Sequence, residues 1–192
     1  METLLGRLRP PRLAPQLRAR VIASLPTEGE LAPSAKERAK IGAADLILAF
    51  HERTGALEVK LVEVFQASVE LHGRSVVLIS RPALNLLSAS EVQVLVAHEL
   101  GHDYFWQEYE QAASKIDKRL LRELELRCDA IAILTFRAMN LDGKALGSAV
   151  AKINRFNARF GTPVNVDRYV SDAERARFHE ALLSLLGTDP NQ

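Results

Sequence analysis

Ser88-Ala89-Ser90-Glu91-Val92-Gln93-Val94-Leu95-Val96-Ala97-His98-Glu99-Leu100-Gly101-His102 is the stretch on which the reading of this chain turns. Ser88 and Glu91 have the spacing of a capping box, and the apolar run that follows predicts a helix from about Ser90 to Trp106. Side chains four apart share a helix face, so His98 and His102 lie together, with Glu99 on the adjacent flank. That pattern offers two imidazoles to a Zn²⁺ ion and sets a carboxylate beside a metal-bound water.

A third protein ligand is needed for a catalytic zinc that keeps a position open for water. One scheme extends the motif through a glycine to a third histidine, but here those positions hold Phe105 and Glu108. A continuing helix, rising about 1.5 Å per residue, would carry Glu108 far beyond His102, so this scheme requires the helix to break. The other scheme takes a carboxylate from a second helix, expected from about Lys115 to Met139, where Glu123 and Glu125 are candidates. Glu125 and Asp129 share a face, so one can bind metal while the other accepts a hydrogen bond from a ligand histidine. The competing reading makes Glu123, Glu125, Arg122 and Arg127 a solvated charged face.

Outward from this centre, the chain reads as α+β and mostly helical. Helices are expected over Gln16–Leu25, Ala35–Glu52, a segment from Asp142 to Phe160, and a last one capped at Ser171 and running to Leu186. Leu57, Val59 and Leu61 alternate with charged residues as a half-buried strand does. Val69–His72 reads as a second strand, turned at His72-Gly73-Arg74 into Val76-Val77-Leu78-Ile79, which is apolar on both faces and should be covered by helices. His51 and His72 sit near segment ends and read as ordinary solvated histidines. Tyr104, Phe105, Trp106 and Tyr109 form an aromatic cluster that either packs in the core or lines a pocket.

Composition narrows the function classes. The 192 residues are 47% hydrophobic and 26% charged, which suits a single domain over 1–192, its core about 57–187. With 25 basic against 24 acidic residues the net charge is +1, which gives no bias toward nucleic acid. No run approaches the roughly 20 apolar residues of a membrane helix, and no secretory signal is expected, so a soluble, cytoplasmic protein is the expectation. The lone Cys128 rules out an intrachain disulfide framework and fits a reducing compartment. The arginine- and proline-rich start, within residues 1–30, reads as a mobile or loosely docked arm, or as a docking segment for a partner or the chain's own cleft.

Val76-Val77-Leu78-Ile79-Ser80, a short helix, Ser88-x-x-Glu91, Val94-Leu95-Val96-Ala97-His98-Glu99-Leu100-Gly101-His102 and Glu125-Leu126-Arg127-Cys128-Asp129-Ala130 together resemble the HtpX-like and CAAX-prenyl-endopeptidase family of zinc metallopeptidases, which are gluzincins. The likeness runs from about Val76 to Leu146 and returns near Asp167 to Arg175. It implies a zincin-like domain with Zn²⁺ held by His98, His102 and Glu125, Glu99 as general base and acid, and Asp129 supporting a ligand histidine. It also implies that the strand holding Val76, Val77, Leu78 and Ile79 is the sheet edge flanking the zinc helix, where a protein or peptide substrate adds in extended form. Two departures stand out. Familiar members carry transmembrane helices, whereas only residues 103–124, with no apolar span, separate the two zinc-binding segments here. Where the family has His-Pro, this chain has Tyr169-Val170. Tyr169 is then either the donor to a developing oxyanion or a packed surface tyrosine. The function implied is a zinc-dependent metalloendopeptidase; its rival is an inactive zinc-binding module of the same fold that acts in protein binding or regulation. The oligomeric state is not legible.

Overall fold

A computed structural model describes residues 2–25, 30–160 and 170–187. Helices dominate: α1 (Glu2–Leu8), α2 (Pro15–Ser24), α3 (Ala35–Phe50), α4 (Arg81–Leu86), α5 (Ala89–Tyr104), α6 (Trp106–Ser114), α7 (Lys118–Ala138), α8 (Ala145–Ala158) and α9 (Asp172–Gly187). The strands β1 (Glu58–Val62), β2 (Val69–His72) and β3 (Val76–Ser80) form one sheet in the order β1-β3-β2. The chain is therefore α+β with a small sheet. Among the described residues no helix is long and apolar enough to cross a membrane.

The sheet corrects one expectation. β3 is the central strand, parallel to β1 and antiparallel to β2, with Leu71 opposite Val77 and His72 opposite Val76. Its Val76, Val77 and Ile79 are fully buried. They cannot meet a substrate, because neighbouring strands already occupy both backbone edges of β3. An all-apolar strand suits a sheet position whose two faces are both covered, and the central strand, flanked on each edge, is the most enclosed one. β2 is the edge strand on the α5 side, and its mixed sequence Val69-Glu70-Leu71-His72 fits a half-exposed position. The β2–β3 connection is Gly73-Arg74-Ser75: Gly73 and Arg74 take φ +52° and +55°, and the Ser75 N–H donates to the His72 carbonyl at 3.0 Å to close the turn.

α5 is the central helix. Ser88 and Glu91 form the capping box read from the sequence, and nearly every residue from Glu91 to Tyr104 is buried. It packs against α3, α7, α8 and β2. The closest approach is to α7 at Gly101: a Cβ there would lie 2.6 Å from the Cys128 Cα. Only a residue without a side chain lets the two helices come this near. α5 stops at Tyr104, two residues short of the expected end, because Phe105 leaves helical geometry (φ −109°, ψ 22°) before α6 begins.

Residues 2–25, read as a mobile or loosely docked arm or a docking segment, carry α1 and α2 and rest on the body of the fold, although α2 itself has no buried residue. Leu5 is buried against Tyr104 and Ile131. Arg53 donates to the Pro10 carbonyl and Arg74 to that of Pro11, and both arginines pair with the buried Asp103. His51 also departs from expectation. It is fully buried, its ring nitrogens 2.9 Å from the Tyr104 and Thr135 hydroxyls, because helix α3 ends inside the body of the fold. Burial holds its pKa down near 3. His72 is exposed, as expected.

Candidate metal centre

His98 and His102 project from one face of α5, ring centroids 5.2 Å apart. The donor atoms of His98, Glu99 and His102 all lie within 4.8 Å of one another, a cluster that could hold a metal ion. α7 crosses this face and brings Glu125 to it, Oε2 at 3.5 Å from His98 Nε2 and Oε1 at 3.7 Å from His102 Nε2. Donors about 2.0 Å from a tetrahedral ion stand about 3.3 Å apart, so these separations are near what one metal between the three groups demands. Glu123, two residues before Glu125, is exposed and pairs with Arg127. The solvated-face reading therefore holds for Glu123 and not for Glu125.

Asp129, one turn beyond Glu125, is fully buried, with Oδ1 2.8 Å from His98 Nδ1. Its other oxygen meets Arg175 Nε at 2.8 Å and accepts a hydrogen bond from His179 Nε2 at 2.9 Å. Burial alone would favour the neutral acid, but His179, His98 and Arg175 hold it firmly ionised. With Nδ1 of His98 turned to Asp129, Nε2 is the nitrogen that faces Glu125 and His102. Burial opposes a charge on His98, yet Asp129 and Glu125 outweigh it and lift the pKa to about 10. The same enclosure, with His98 beside it, presses His102 down to about 4. Arg175, 2.8 Å from Asp129 and 3.5 Å from Glu125, offsets part of the negative charge of these buried carboxylates.

Glu99 faces the opposite side of the cluster. Its Oε2 accepts a 2.7 Å hydrogen bond from the Leu71 N–H on the outer edge of β2. Burial raises its pKa to about 7, within the range that suits a proton acceptor near neutrality. A cleft of about 700 Å³ opens over the cluster. The β2 edge forms one wall, with Trp106 and Tyr109 of α6, Val150, Ile153 and Asn157 of α8, and Arg175 of α9 forming the others.

The extended-motif scheme for the third ligand gets the helix break it required, at Phe105, but still fails. Glu108 is exposed and paired with Arg127, 2.7 Å away. The aromatic cluster divides: Tyr104 is core, while Trp106 and Tyr109 line the cleft, Tyr109 edge-on to His102 at 5.2 Å. Tyr169 lies outside the described residues.

Sequence reading missed His179, the Leu71 N–H and Asn157. His179 had a signal, since it stands four residues from Arg175 on one helix face. Backbone groups of an edge strand carry none until the strand order is known. Compared with known proteins, the chain matches no family model, and no curated protein sequence matches it.

Proposed function

We propose that this chain is a zinc-dependent metalloendopeptidase resembling the HtpX-like and CAAX-prenyl-endopeptidase type, with His98, His102 and Glu125 as ligands. The observation that carries this reading is the convergence of both Nε2 atoms on Glu125 while Asp129 engages the far nitrogen of His98. Two imidazoles and one carboxylate suit zinc, and the carboxylate–histidine contact fixes the tautomer a ligand needs. When bound, Zn²⁺ supplies a Lewis acid that polarises a carbonyl and acidifies a water.

The chain's own groups do the rest. Glu99 accepts the water's proton and returns it to the leaving amine, and the Leu71 N–H orients the carboxylate for both transfers. Asp129 keeps the His98 ring aimed, and Arg175 and His179 hold Asp129. The substrate is an extended peptide laid along the outer edge of β2, pairing with backbone that β3 leaves unused.

Metal analysis of freshly purified protein, paired with proteolysis of an unfolded protein by wild type and Glu99→Gln, tests this. Stoichiometric zinc in both proteins with hydrolysis by wild type alone is the expected outcome. Stoichiometric zinc with no hydrolysis by either would favour the inactive binding module, and no bound metal would reject both readings.

A further inference from the structure

Outward-facing backbone groups alternate along an antiparallel edge strand. The Leu71 N–H points away from β3 toward Glu99, so Val69 turns the same way; Ala67, two residues before the strand, follows because the Ser68 carbonyl still accepts from the Ser80 N–H at 3.0 Å. Ala67 is already paired. Its N–H donates to Asn157 Oδ1 at 2.8 Å, and its carbonyl accepts from Asn157 Nδ2 at 2.9 Å. A carboxamide is the same chemical group as a peptide bond, and here it makes both hydrogen bonds that a passing peptide would make. Asn157 reaches the strand from α8, ninety residues away, across the cleft beside the metal cluster. Among the described residues no group pairs with the outward backbone of Val69, the rung between the two occupied ones.

We infer that Asn157 stands in for one residue of substrate, closing the β2 edge at Ala67 and making the cleft selective for peptides held over a short stretch beside the scissile bond. This rests on the peptidase reading above and deepens it by naming what limits the substrate. Ala67 and Leu71 are four residues apart, about 13 Å of strand. Peptide beyond that distance on the Ala67 side has no backbone partner while Asn157 is in place, so added length there contributes nothing to binding.

The test uses zinc-loaded protein and a ladder of peptides, blocked at both ends, lengthened one residue at a time on either side of the scissile bond. Affinity is read by calorimetry in a Glu99→Gln background, which leaves the peptides intact. With Asn157 present, affinity should stop rising once a peptide reaches Ala67. Asn157→Ala frees two backbone groups, so the longest peptides should bind about ten-fold tighter while the shortest are unchanged. Asn157→Asp, which keeps the acceptor for the Ala67 N–H, should fall between them, and it carries the test if Asn157→Ala fails to fold.

Three results would overturn the inference: the same length dependence in the variants, an equal loss at every length, or no peptide binding at all. An equal loss would mean that Asn157 merely fastens α8 to the sheet. Failure of the peptidase reading shows separately, as bound peptides that the Glu99-containing protein never cuts.

Discussion

Replacing Gly101 with alanine tests whether the α5–α7 crossing sets the geometry of the metal centre. The new Cβ would lie 2.6 Å from the Cys128 Cα, 2.8 Å from its Cβ and 3.0 Å from its Sγ. The nearest atom is backbone and no rotamer relieves the contact, so the helices must separate by about 0.8 Å to reach ordinary van der Waals distance. Glu125 rides on α7 one turn from Cys128. The same shift stretches its 3.5 and 3.7 Å separations from the histidines to about 4.4 Å. A metal about 2.0 Å from each imidazole then leaves the carboxylate out of reach. Zinc affinity should fall by about 100-fold or more, since displacing groups that merely support ligands already costs 10–100-fold. Overpacking, partly offset by alanine's helix propensity, should cost about 1–2 kcal/mol of stability. Gly42 in α3 provides the control, because a Cβ there meets nothing within 4 Å. Gly42→Ala should stabilise the protein by about 0.5–1 kcal/mol and leave zinc affinity unchanged. Chelator competition and denaturant unfolding of the three proteins give both quantities. Gly101→Ala binding zinc within about three-fold of wild type would refute the reasoning, whatever its stability.

Asp129→Asn removes the charge behind His98 and should lower zinc affinity about 10–100-fold in the same competition assay. Leu71→Pro deletes the N–H that orients Glu99 without breaking the sheet, because that N–H points away from β3. Hydrolysis should drop by about 10-fold or more at unchanged metal content; equal rates would mean the contact is incidental. His51 gives a pH signature. Its pKa is near 3 folded and about 6.5 unfolded, so the unfolded chain takes up a proton first as pH falls. Stability is unaffected above pH 6.5 and is lost progressively below it. Between pH 7 and 4.5 the stability advantage of wild type over His51→Gln should shrink by about 2.5 kcal/mol, read from denaturant curves at the two pH values. An advantage that does not change with pH would show that His51 does not stay neutral in the fold.

What was legible in the sequence follows from which physics is local. The α5 helix, its capping box and its two histidines depend on spacing within sixteen residues, and they stand where the spacing put them. Glu125 and Asp129 were also legible, because two carboxylates one turn apart on a largely apolar helix need a partner at that face. The strand order was misread for a specific reason. Val76-Val77-Leu78-Ile79, apolar throughout, carries the pattern of an inner strand, and the expectation of an edge came from the resemblance and went against that pattern. His51 was misread because burial near a helix end depends on what docks there, here Tyr104 and Thr135 from two later helices. Asn157 and His179 reach their partners across ninety and fifty residues of chain, and no periodicity records such pairings.

The break at Phe105 and the brevity of α6 bear on how the centre assembles. His98, His102, Glu125 and Asp129 all fall within residues 98–129, on two helices joined by a short third. Bringing them together closes a small loop of chain, whose entropic cost is modest, and local contacts of this kind form early. Trp106 and Tyr109 of that short helix line one side of the cleft, while its other walls come from outside the span, from β2, α8 and α9. Binding of an ion there and completion of the cleft would thus be separable events. During synthesis the residues that would grip the metal emerge before the last two helices that shape what reaches it.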